Sequence, residues 1–232
     1  MTLRTPATEF IACNIGAQEA VMKAVFFDIG ETLINESRVW SLLADWLGVP
    51  PMTMFGVLGD LISKGRDHRE LFEIVRPDIG WQGVAQRFAD GRRDRYLPED
   101  LYADVRPALA DLRRQGYFVG IAGNQPRERE KDLIDMNLPA DLLATSGGWG
   151  LNKPDPEFFE RIVRESGCRP DEIAYVGDRV DNDVLPAAAA GLVAIHIIRG
   201  PWGFIQRDWP GADRARAQVK TLTSLTDVLC GL

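Results

Sequence analysis

Four side chains of the 232-residue chain have types and positions that could do chemistry together: Asp28, Lys153, Asp178 and Asp183. Asp28 ends Val25-Phe26-Phe27, an apolar, β-forming run that Gly30 breaks two residues later. Asp178 and Asp183 lie in Gly177-Asp178-Arg179-Val180-Asp181-Asn182-Asp183, directly after a second apolar run. Lys153 stands in Asn152-Lys153-Pro154-Asp155-Pro156, just before a helix that starts near Pro156. Each has an ordinary explanation when taken alone. Asp often caps a loop, Lys-Pro often marks a surface turn, and an acidic loop is often simply solvated. Taken together they predict more. Gathering Asp28, Asp178 and Asp183 at one sheet edge is costly without a cation, and an oxygen-only ligand set suits Mg²⁺. Lys153 supplies a further positive charge. A carboxylate, a metal, a lysine and an anionic substrate are the parts that phosphoryl transfer needs.

The elements that must position these groups follow from the sequence pattern. After Val25–Phe27, residues 36–103 read as a helical block with no clear strand. Ser37 to Leu47 carries apolar residues at helical spacing, Met52 to Ile62 is a second helical stretch, and Trp81, Val84, Ala85 and Phe88 recur at helical spacing further on. Strands and helices then alternate. Helices are expected at 107–115, 127–136, 156–166, 184–190 and 224–229, and strands at 117–122, 141–145, 173–176 and 193–198. Ile121-Ala122-Gly123-Asn124 ends the second core strand in a Gly-Asn turn. Such alternation implies a parallel α/β sheet. The helical block interrupts it after the first strand, as an inserted cap would. The expected organisation is an extension at 1–20, an α/β core at 21–35 and 104–232, and a helical cap at 36–103.

Composition narrows the function. The formal net charge is −7 and the pI about 5.0, which argues against nucleic acid or an anionic membrane as the main partner. No apolar run reaches membrane-spanning length. Cys13, Cys168 and Cys230 are scattered and have no metal spacing, so a reducing, cytoplasmic setting is expected. The only histidines are His68 and His196. They exclude a His-rich metal site, and His196 lies inside a strand-like run, where it is read as structural.

The order of motifs resembles the haloacid dehalogenase (HAD) superfamily, in the branch with a helical cap inserted after the first strand. Those motifs are Asp28-x-x-x-Thr32-Leu33, the strand-end turn at Gly123-Asn124, Lys153-Pro154-Asp155-Pro156 and Gly177-Asp178-x-x-x-x-Asp183. The resemblance covers residues 22–232 and implies a Rossmann-like core. It also implies a hydrolase, phosphatase-like, acting on a small phosphorylated metabolite. By the same resemblance Asp28 is the nucleophile that becomes an aspartyl phosphate, and Lys153 bridges it to the transferring group. Asp28, the carbonyl of Gly30, Asp178 and Asp183 would hold Mg²⁺. Gly123, Asn124 and Thr32 would shape the phosphate site.

Two departures qualify that expectation. Phosphatases of the superfamily usually carry Asp two residues after the nucleophile, as general acid and base, whereas this chain has Gly30. They usually end the second motif in Ser or Thr, whereas this chain has Gly123 followed by Asn124. Glu31 is the nearest carboxylate that could substitute, although an offset of one residue normally redirects a side chain. A missing proton donor predicts selectivity for leaving groups of low pKa. Two other readings stay open: a protein that binds a phosphorylated ligand after losing efficient turnover, and a metal-independent dehalogenase. Arg66, Trp81, Arg92, Arg93 and Arg95 are candidates in the helical block for contacting substrate. A solvated helix face with a core Trp is the simpler explanation for each of them.

Overall fold

The computed structural model describes residues 21–90, 94–223 and 225–232, with backbone alone for residues 88–90. Its sheet contains β1 (Ala24–Phe27), β2 (Phe118–Gly123), β3 (Leu142–Thr145), β4 (Ile173–Gly177), β5 (Val193–Ile197) and β6 (Ala217–Val219). The strand order is β3-β2-β1-β4-β5-β6, with every neighbouring pair parallel. The carboxyl ends of all strands therefore share one edge. The order changes direction at β1, and open α/β sheets leave a ligand crevice at such a point.

β1 is central because it is apolar on both faces. Val25 and Phe27 pack on one side with Leu109 and Leu112. Ala24 and Phe26 pack on the other with Phe158 and Phe159. A continuous apolar run, rather than an alternating one, is what a strand covered by helices on both faces requires. Phe27 is in register with Ile121 of β2 and Val176 of β4. The residue after it, Asp28, therefore emerges at the crevice.

Between β1 and residue 104 the described residues form four α-helices: α1 (Ser37–Leu47), α2 (Pro51–Ser63), α3 (Glu70–Val75) and α4 (Gly80–Asp90). They enclose a separate apolar cluster that includes Leu43, Met54, Leu58, Leu61 and Phe72. The chain then continues through α5 (Val105–Arg114), α6 (Arg127–Asp135), α7 (Ser146–Trp149), α8 (Pro156–Ser166), α9 (Leu185–Ala189), α10 (Gly200–Gln206) and α11 (Leu225–Cys230). α8 has the bounds expected from its Pro156 start and Gly167 end, with Gly167 in the left-handed region at φ 65°.

The structure adds elements to the expected pattern. The helix expected at 184–190 is preceded by a π-helical turn over Val180–Val184, and α9 begins only at Leu185. α10 is not among the expected elements, and its start, Gly200-Pro201-Trp202-Gly203, holds two glycines and a proline, which favour turns. Its Trp202 leaves the core and joins the cluster of the inserted helices. β6 was also missed, since it has only three residues with an exposed Gln218 at its centre.

Candidate active site

Asp28, Lys153 and Asp183 meet at the carboxyl edge of the sheet. Lys153 Nζ donates to Asp28 Oδ1 at 2.6 Å and to Asp183 Oδ1 at 2.5 Å. Asp28 is held by its position after β1, where its backbone N–H bonds the Val176 carbonyl at 2.9 Å. Asp183 is aimed back by the π-helical turn, a feature often found at functional sites. Its Oδ2 accepts the Arg179 backbone N–H at 3.0 Å. Lys153 reaches inward from the loop before α8, with its Nζ 5.4 Å from the centroid of the Tyr175 ring. Burial works against the Lys153 ammonium, but the Asp183 and Asp28 carboxylates outweigh it and hold the lysine charged well above its ordinary range. Burial raises the Asp28 carboxyl to about 6 against the opposing pull of Lys153.

Asp178 completes the cluster. One carboxylate oxygen from each of Asp28, Asp178 and Asp183 fits within 4.8 Å of the others, and all three residues are buried. Asp178 Oδ2 is buried with no hydrogen-bond partner. Burial, followed by the charges of Asp183 and Asp28, pushes the Asp178 carboxyl well up. Three clustered carboxylates share one lysine ammonium, and one of them carries a buried oxygen with no hydrogen-bond partner. A hard divalent cation with oxygen ligands fits this donor set. His196 supports the loop from beneath: it is fully buried, and its Nε2 lies 2.9 Å from the Asp178 carbonyl. A carbonyl accepts only, so Nε2 carries the proton. Burial lowers the His196 pKa and favours this neutral form.

The residues around the second strand end take specific parts. A Cβ at Gly123 would lie 2.3 Å from Asp28 Oδ1, so only glycine lets β2 close against the carboxylate in this arrangement. Asn124 is committed to the lysine loop. Its Nδ2 donates to the Lys153 carbonyl and its Oδ1 accepts the Lys153 backbone N–H, both at 2.8 Å. Thr32 is fully enclosed, its Oγ1 has no hydrogen-bond partner, and its carbonyl accepts Arg199 Nη1 at 2.9 Å.

The turn after Asp28 separates Glu31 from Gly30. Glu31 sits in the left-handed region at φ 53°. Its carboxylate is buried, accepting Tyr102 OH at 2.7 Å and the Glu36 backbone N–H at 3.0 Å. Burial, then the charge of Glu36, raises its pKa to about 7. Glu31 thus braces the start of α1. The space beside Gly30 belongs instead to Glu36, a residue that spacing did not single out. A Cβ at Gly30 would meet Glu36 Oε1 at 2.9 Å and Cδ at 3.1 Å. Glu36 Oε1 accepts Gln125 Nε2 at 3.2 Å and a short hydrogen bond from Tyr96 OH, and Oε2 accepts Trp40 Nε1 at 3.3 Å. No local signal marks this placement, because it depends on how residue 36 folds back over residue 30.

The other candidates in the helical block have structural partners. Arg66 pairs with Glu70 on an exposed face. Trp81 packs against Phe72, with Arg69 over its ring. Arg95 pairs with Asp132 and Asp135. Arg92 and Arg93 lie outside the described residues.

The molecule is thus an α/β protein with a parallel sheet and an acid–lysine cluster at the sheet's switch point. The family model described as haloacid dehalogenase-like hydrolase matches residues 22–191, and the chain belongs to that family. It is 29% identical over 203 residues to a glyceraldehyde 3-phosphate phosphatase of Methanopyrus kandleri, covering 78% of this chain and 86% of that protein. It is 25% identical over 230 residues to a glyceraldehyde 3-phosphate phosphatase of Methanocaldococcus jannaschii, covering 91% and 99%. Among solved structures, a HAD-superfamily hydrolase from Geobacter sulfurreducens superposes with a TM-score of 0.66 at 19% identity, covering 93% of this chain and 100% of that one. That likeness shows the fold.

Proposed function

We propose that the protein is a Mg²⁺-dependent phosphatase acting on a small phosphorylated metabolite through an aspartyl phosphate at Asp28. The observation that carries this reading is the ion-paired Asp28–Lys153–Asp183 cluster beside the unpartnered Asp178 oxygen. Asp28 would attack phosphorus through one carboxylate oxygen, and the ester oxygen would leave. Water would then attack the phosphorus, releasing phosphate and restoring the Asp28 carboxylate. Lys153 would offset negative charge on the transferring group. The second Asp28 oxygen, the Gly30 carbonyl, Asp178 and Asp183 would hold Mg²⁺. Bound there, the ion would polarise the phosphoryl oxygens and neutralise charge developing on them.

Asn124 would fix the lysine loop, and Gly123 would leave room at the nucleophile. The enclosed position of Thr32 suits shaping the turn rather than touching substrate. The helices of residues 36–103 would form a cap that selects the substrate. The names of the relatives, all phosphatases of a small phosphate ester in the two comparisons above, support the substrate class. A metal-independent dehalogenase would leave the acidic cluster without a purpose. Among the described residues no single helix is long and apolar enough to cross a membrane. The test is phosphate release from a panel of small phosphate monoesters, with and without Mg²⁺, by wild type and Asp28→Asn. Release that requires both Mg²⁺ and Asp28 supports the assignment. Release that persists without either removes it.

A further inference from the structure

We infer that Glu36 is the proton donor and acceptor of this site, delivering from the start of α1 the carboxylate that position 30 lacks. The inference rests on the phosphatase reading above and supplies the residue that the reading leaves missing.

A side chain at position 30 would compete with a neighbouring side chain for space rather than strain the backbone. Gly30 is not among the residues with positive φ, so its backbone would accept a side chain. Any such side chain would start in contact with Glu36: the Cβ position is 2.9 Å from Oε1, 3.1 Å from Cδ and 3.3 Å from Oε2. The first atom of an acidic side chain at residue 30 would thus already touch the carboxylate that Glu36 places there. Glycine and glutamate form one unit, in which the missing side chain of one is the volume filled by the other.

That carboxylate is held in place by its hydrogen bonds. Tyr96 OH, Gln125 Nε2 and Trp40 Nε1 all donate to it, which fixes its rotamer from three directions. Two of the donors come from outside the turn, so the position does not depend on α1 alone. Glu36 is only half-buried, unlike Glu31, whose carboxylate is enclosed. The loops that bracket it also bracket the nucleophile. Gly30 is two residues past Asp28. Gln125 is two residues past Gly123, which packs against Asp28 Oδ1.

The steps balance. When Asp28 attacks, the bond from phosphorus to the leaving oxygen breaks, and protonated Glu36 gives its proton to that oxygen, releasing an alcohol and a Glu36 carboxylate. When water attacks the aspartyl phosphate, Glu36 takes a proton from the water as the bond from phosphorus to Asp28 breaks. Phosphate leaves and Glu36 is protonated again. Selectivity for leaving groups of low pKa, expected from Gly30 alone, is then not expected.

The test compares kcat/KM of wild type and Glu36→Gln across a panel of alkyl and aryl phosphate monoesters with Mg²⁺, since kcat/KM reports only the steps through formation of the aspartyl phosphate. A positioned acid contributes about 10²–10⁴-fold when the leaving group needs a proton. Glu36→Gln is therefore expected to slow alkyl esters by at least about 10²-fold and aryl esters by less than about 10-fold. Equal slowing of both, or none, overturns the role of Glu36 while leaving the phosphatase reading intact. If Glu36→Gln does not fold, Glu36→Ala is compared with Gly30→Asp/Glu36→Ala, which rebuilds a carboxylate in the vacated space. Recovery on alkyl esters by at least about 10-fold supports the proposal, and no recovery overturns it. A wild-type protein that hydrolyses no member of the panel overturns the phosphatase reading and, with it, the assignment of Glu36.

Discussion

Lys153 and Asp28 stand 125 positions apart in the chain and are joined by a 2.6 Å hydrogen bond between charged groups. The lysine side chain is 1% exposed and the aspartate side chain 10%. Removing two charges from water is expensive, and a buried pair of this kind is weak support for stability. Its placement at the sheet edge, with a second carboxylate on the same ammonium, fits a reactive site better than a staple.

Lys153→Ala would leave the Asp28 and Asp183 carboxylates buried without their cation. Breaking such a pair costs about 3–5 kcal/mol, so a clear drop in denaturation midpoint is expected. Loss of one preorganised charge partner should also lower kcat by about 10²–10³-fold. Lys153→Arg should not restore activity, because a planar fork does not replace a point charge that contacts two carboxylates. Wild-type turnover in either variant would show that the lysine is structural only.

Asp178 predicts a split between stability and metal response. Its carboxyl is raised by burial and by the neighbouring Asp183 and Asp28 charges, so the metal-free protein carries electrostatic strain there. Asp178→Asn should therefore equal or exceed wild type in Tm without Mg²⁺. Wild type should gain Tm with Mg²⁺, by about 2.7 kcal/mol of stability at a hundredfold excess over Kd, and the variant should lose most of that gain. Equal Mg²⁺ shifts in the two proteins would exclude Asp178 as a ligand.

Much of this centre was legible because its parts sit at element ends. Val25–Phe27, the Pro156 helix start and the acidic loop after β4 each announce themselves locally, so Asp28, Lys153, Asp178 and Asp183 could be named from spacing. The parts that were not legible are those made by folding. Asn124 gives no sign in sequence that its side chain clamps the backbone of Lys153. Glu36 lies six residues from Gly30, and the local pattern says only that a helix follows. The π-helical turn was hidden inside a stretch that reads as loop and helix, and β6 is too short to show a period.

Asn124→Ala tests the clamp. It removes two 2.8 Å hydrogen bonds to the backbone of Lys153 and leaves partly buried groups unsatisfied, at a cost of about 1–3 kcal/mol. With the lysine loosened, kcat should fall and KM should change little. An unchanged kcat would show that the lysine loop is held by other contacts.

His68 makes stability depend on pH. Its ring lies edge-on to Trp40 and Trp202. Burial, then the charge of Arg179, lowers its pKa from 6.5 to about 4, with Arg69 acting in the same direction and Asp67 and Asp181 opposing. The unfolded chain therefore binds this proton more readily. The contribution of neutral His68 is complete above pH 6.5 and is lost as pH falls toward about 4. Thermal melts across that window should fall less steeply for His68→Gln than for wild type. Parallel slopes would remove His68 as the cause.

The most direct measurement is the phosphorylation state of Asp28 during turnover. Wild-type protein is mixed with Mg²⁺ and a phosphate monoester that it hydrolyses, quenched in acid on the millisecond scale, and its peptides are weighed. A transient phosphate on the peptide containing Asp28, absent in Asp28→Asn and formed before the first product is released, is the expected result. Turnover that proceeds with no phosphate on that peptide, or that survives in Asp28→Asn, contradicts the assignment of Asp28 as the nucleophile.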